Sequence, residues 1–140
     1  MRIFQLNKQE KQRTEPMTVH SLSALGLKLY DLSFVETICR GNVNTRNKML
    51  ETFVSTIPVD VERIKEAHSK KDFLLVSQIA HKIKPVLSMY GIQTVADDIH
   101  SIENLAKDEP GHPELYGKIL KVDEIVSHVT NDIKSTFINP

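Results

Sequence analysis

Four long stretches of this 140-residue chain carry apolar residues at steps of three and four, separated by short polar breaks. Met49, Phe53, Ile57, Val61, Ile64 and His68 mark the first, over about 44–69, with Pro58 inside it as an expected kink. Val76, Ile79, Ile83, Val86, Leu87 and Tyr90 mark the second, which runs from Asp72, an N-cap by type, to Tyr90, with Gly91 placed to end it. Ile92, Val95, Ala96, Ile99, Ile102 and Leu105 mark the third, which stops before the turn sequence KDEPGHP. Leu115, Ile119, Val122, Val126, Val129 and Ile133 mark the fourth, over about 114–135. A period near 3.6 gathers each set on one helix face, and such faces leave water by packing on one another. Short connections make consecutive helices antiparallel neighbours. The expected fold is therefore all-α, an antiparallel up-down four-helix bundle. A short additional N-terminal helix is expected around Ser33–Cys39, closed by the Gly41-Asn42 breaker and acting as a lid at most.

Residues 1–28 read as a flexible N-terminal tail or linker, because the first 19 sustain no apolar period, and the bundle is expected over residues 29–140. A chain of this size builds a continuous core without metal or disulfide support. Cys39 is the single cysteine, which excludes a disulfide framework and fits a reducing, cytoplasmic compartment. No apolar run approaches the roughly 20 residues needed to span a bilayer, so no membrane is expected. The formal net charge is zero, which removes the field that drives non-specific nucleic-acid binding. The charge is uneven, however: residues 40–84 hold nine Lys/Arg against five Asp/Glu, and residues 97–124 hold three against eight. One part of the surface should be mildly basic.

On a helical wheel of the second stretch, His81 lies nearly opposite the core arc, flanked by Ser77, Gln78, Lys84, Pro85 and Ser88. It should face solvent. Leu74, Pro85 and Met89 share that outer side one or two turns away, and apolar groups around an exposed imidazole suggest a docking surface. Pro85, one turn after His81, lacks the N–H that would bond the His81 carbonyl, and its compact ring carries no flexible chain to obstruct approach.

The run AHKIKPVLSMYG, Ala80 to Gly91, resembles the histidine-containing phosphotransfer (HPt) domain of bacterial multistep two-component phosphorelays. His81, Lys84 and Gly91 stand at the family's H-x-x-K and downstream glycine positions, while Pro85 stands where the family most often has glycine. With MLETFVSTIP upstream and the two apolar helices downstream, the similarity covers about residues 29–136.

The resemblance implies that His81 accepts a phosphoryl group on Nε2 from a receiver-domain aspartate and passes it to another receiver, with Gly91 as a structural element of the motif. An exposed imidazole is largely neutral near pH 7 and so offers a lone pair for in-line attack on phosphorus. Lys84, one turn away, can offset the phosphate's charge, and transfer of this kind is mainly positioning plus charge stabilisation. Lys82 lies further round the helix and reads as a long-range attractor or as a solvated lysine. Leu74, Ser77, Gln78, Pro85, Ser88 and Met89 are the candidate docking residues. The expected partners are receiver domains of response regulators and hybrid histidine kinases, met by a monomeric phosphocarrier without ATP-dependent kinase activity. The sequence holds no nucleotide-binding glycine loop and no paired acids for magnesium. No cofactor or metal site is expected on this chain, and any Mg²⁺ should belong to the receiver. The competing reading is a non-transferring helical module that binds a receiver or other signalling partner through the His81 face.

Overall fold

The computed structural model describes residues 28–139, so the tail expected over residues 1–28 lies outside the described residues apart from Lys28. Five α-helices account for most of what is described: α1 (Ser33–Cys39), α2 (Val43–Ser69), α3 (Phe73–Met89), α4 (Ala96–Asp108) and α5 (Leu115–Ile133). A 3₁₀ turn, Gln93–Val95, precedes α4, and a π turn, Lys134–Ile138, follows α5. No strand occurs among the described residues.

Local signals set the helix ends. The Asn42 side chain accepts from the Thr45 N–H and starts α2, and the Asp72 side chain accepts from the Leu75 N–H and starts α3. At the far end of α3 the Ile92 N–H reaches the Leu87 carbonyl and the Gly91 N–H reaches the Ser88 carbonyl, which is the Schellman closure. Gly91 holds φ of +67°, a left-handed conformation that favours glycine. It has a second duty, since a Cβ there would fall 2.7 Å from the Asp31 Cβ, and the Asp31 N–H donates to the Tyr90 carbonyl. The glycine thus lets the segment before α1 pack across the α3 terminus.

Helices α2 to α5 form the four-helix bundle, each packed on its sequence neighbour and α2 also on α5. Cross-links run antiparallel: Lys82 meets Asp60 and the Tyr90 hydroxyl meets the Met49 carbonyl between α3 and α2, while Lys65 meets Asp123 between α2 and α5. The core is aliphatic, with Leu50, Ile64, Val76, Ile83, Leu87, Ile99, Ile102, Ile119 and Val129 almost wholly enclosed. At about 25 cal/mol per Å² of apolar surface buried, such side chains supply the main driving force.

Three departures from the sequence expectation have physical causes. Helix α1 is more than a lid, because Val35 and Cys39 enter the core. The third helix begins at Ala96 rather than Ile92: the left-handed Gly91 redirects the chain and the 3₁₀ turn intervenes, although Ile92 and Val95 are still buried. Val86 is only half-buried, at the rim of a groove between α2 and α3 shared with Met89, Phe53 and Ile57. Pro58 and Pro85 both sit inside helices that continue past them.

Candidate functional site

Helix α3 places His81 on its outer side, and the imidazole is 75% exposed. One turn on, Lys84 leans toward α4, where the two side chains meet the carboxylate of Glu103. His81 Nδ1 lies 3.0 Å from Glu103 Oε1 and 3.1 Å from Oε2; Lys84 Nζ donates to Oε1 at 2.9 Å and to Oε2 at 3.3 Å. The Glu103 side chain is only 13% exposed, so it meets these partners partly withdrawn from water. Its acidity follows: Lys84 first, then His81, hold the carboxyl below its ordinary value against the opposing effect of burial.

An ionised carboxylate only accepts hydrogen bonds, so the bonded Nδ1 must be the nitrogen that carries the proton. In the neutral ring the lone pair then resides on Nε2, which has no hydrogen-bond partner among the described residues. The site thus turns Nε2 to solvent, beside a cation one turn away.

The other outer residues divide into two flanks. Leu74, 66% exposed, and Gln78 border a shallow hollow that runs from His81 to Asn104 and Lys107 on α4. Pro85 and Ser88 are exposed, as the wheel places them. Ser77 departs from the wheel: it is only 8% exposed, and its hydroxyl donates to the Glu103 carbonyl at 2.9 Å. Its small side chain lets α4 pack onto that flank of α3, and a buried hydroxyl takes the nearest backbone acceptor. Met89 departs too, being partly buried and turned toward α2, where it lines the groove beside Val86. Leu74, Pro85 and Met89 therefore do not make one patch. Lys82 is neither free nor aimed at His81; it reaches the buried Asp60 at 3.2 Å, which Arg63 also contacts.

Glu103 is the residue that sequence reading misses. It lies 22 positions from His81, beyond any helical wheel. A signal exists nonetheless: the α3–α4 hairpin turns at Ile92, and His81 and Glu103 stand eleven residues to either side of it. No group of three or more His, Cys, Asp or Glu residues suited to a metal ion occurs among the described residues. Nor does any helix there have the length and apolarity to cross a membrane.

Comparison with known families finds the Hpt domain, whose family model matches residues 48–132, from within α2 to the last turn of α5. No curated protein and no solved structure gives a match to the chain.

Proposed function

The chain belongs to the Hpt domain family, and from that membership we propose that it is a phosphocarrier in a two-component phosphorelay, taking a phosphoryl group onto His81 from a receiver aspartate and delivering it to another receiver. The observation that carries this reading is the exposed Nε2 of His81, whose other ring nitrogen is committed to Glu103. In uptake, Nε2 attacks phosphorus in line as the bond to the aspartyl oxygen breaks, and the electron pair leaves on that carboxylate. Lys84 lies close enough to balance charge on the bound phosphoryl group once it turns from Glu103, a role that needs position rather than covalent chemistry.

The receiver approaches over the outer side of α3, where Leu74, Gln78, Pro85 and Ser88 surround the ring. Pro85 keeps this approach low. Ser77 acts from beneath by fixing the α4 backbone at Glu103, and Met89 belongs to the neighbouring groove. Within this reading the carrier works as a cytoplasmic monomer, needs no cofactor of its own, and relies on Mg²⁺ held by the receiver.

Incubation with a phosphorylated receiver tests the proposal. Label that moves to this chain and is acid-labile but base-stable supports it. Label that stays on the receiver while the two proteins bind would assign the chain to recognition without transfer.

A further inference from the structure

Independently of the carrier reading, we propose that residues 21–27 of this chain dock on the open flank of α1 as a strap, with Leu22 and Leu25 covering Phe34 and Ile38, so that the folded unit takes in part of the N-terminal segment.

Helix α1 has one tied flank and one open flank. Val35 and Cys39 enter the core, and Glu36, to one side of them, meets Arg46 at 3.3 Å. Phe34 and Ile38 each stand one position before a buried residue, about 100° round the helix on the other side, and are 56% and 47% exposed. Spaced by four, they form one apolar stripe. Val43, which opens α2 just beyond the left-handed Arg40 and Gly41, is 54% exposed as well. A helix of seven residues depends on packing for its stability, and on this flank the described residues supply little.

The chain carries a match for that stripe. Residues 1–16 hold Arg2, Lys8, Glu10, Lys11, Arg13 and Glu15, whereas residues 17–27 hold no Lys, Arg, Asp or Glu and include Val19, Leu22, Leu25 and Leu27. Burying two such apolar surfaces against each other is favourable at roughly 25 cal/mol per Å². The point where the described chain begins also fits. The Tyr30 hydroxyl bonds the Asp132 carboxylate of α5, and the Asp31 N–H donates to the Tyr90 carbonyl at the end of α3, so the chain is pinned directly before α1. Lys28 lines a hollow beside Glu36, on the tied side of the helix. From there an extended chain carries Leu25 about 10 Å and Leu22 about 20 Å, while a helix is about 10 Å across. The segment can therefore cross the outer side of α1 and set both leucines on the far flank.

The test uses NMR of the full chain with labelled methyl groups. Combining Leu22→Glu with Leu25→Glu should shift the methyl signals of Ile38 and leave those of Val59, an equally exposed residue of α2, in place. Relative to their intrinsic rates, amides of residues 21–27 should exchange about tenfold or more slowly than those of residues 1–16, and Ile38→Glu should remove that protection. Ile38 signals that ignore the double change, or equal exchange throughout residues 1–27, would overturn the strap. So would leucine–Ile38 contacts found only between differently labelled chains in a mixed sample, which would give the flank to a second copy, and Ile38 signals that move only when a receiver is added, which would give it to that partner. None of these readouts involves phosphate, so the carrier reading stands or falls separately.

Discussion

The carboxylate of Glu103 stands 3.0 Å from Nδ1 of His81, across the gap between two helices joined by a glycine turn. That pair leaves Nε2 as the ring nitrogen open to solvent, and it links the acid–base behaviour of the bundle to the site. Because Lys84 and then His81 hold the folded-state value of Glu103 below 4.5, the carboxylate contributes stability that is fully present above the unfolded value and is lost as pH falls through the folded one. Thermal melts below pH 4.5 should therefore fall more steeply for the wild type than for Glu103→Gln. Parallel melting curves would show that the ion pair contributes nothing to folding.

The turn between those helices makes its own prediction. Gly91→Ala forces a Cβ onto a left-handed backbone and against the Asp31 backbone. The conformational cost alone is roughly 1 kcal/mol, and the clash adds to it, so chemical denaturation should report a loss of at least about 2 kcal/mol. Undiminished stability would mean that the segment before α1 does not pack across this turn.

Ile83 and Val86 sit on the same arc of a wheel, yet the structure separates them. Ile83 is fully enclosed, and Ile83→Asp buries an unpaired carboxylate, which should cost ~4 kcal/mol or more and unfold the bundle. Val86 is half-buried at the rim of the α2–α3 groove, so Val86→Asp should cost only about 1–2 kcal/mol and leave a cooperative melt. Circular dichroism melts of the two variants distinguish these outcomes.

The same contrast shows what a sequence reveals and what it hides. Apolar periodicity located four long helices, because residues such as Ile57, Ile83, Ile99 and Val126 are enclosed by a face that one helix alone defines. It also turned His81 outward. A wheel divides a helix only into core and non-core, however, and says nothing of which neighbour covers each flank. Ser77 went astray for that reason, since α4 closes over it, and Met89 likewise, since α2 draws it inward. The Glu103 contact was hidden because it depends on how two helices are staggered across a turn, which no local pattern states.

The proposed docking surface is tested at Leu74, which is 66% exposed beside the hollow at His81. Leu74→Glu should slow phosphoryl transfer from a receiver several-fold while leaving the melting temperature within about 0.5 kcal/mol of the wild type in equivalent stability. Glu124→Lys, on an exposed position of α5, should leave the transfer rate close to that of the wild type. Equal effects of the two changes would move the contact away from the outer side of α3.

The most direct measurement locates the phosphate itself. After reaction with a phosphorylated receiver, the chain is digested under alkaline conditions and the modified residue mapped by mass spectrometry, alongside a His81→Gln variant whose folding should change by no more than about 0.5 kcal/mol. The account predicts phosphate on His81 in the wild type and none anywhere in the folded variant. Phosphate on another residue of the wild type, or labelling that persists in His81→Gln, would contradict it.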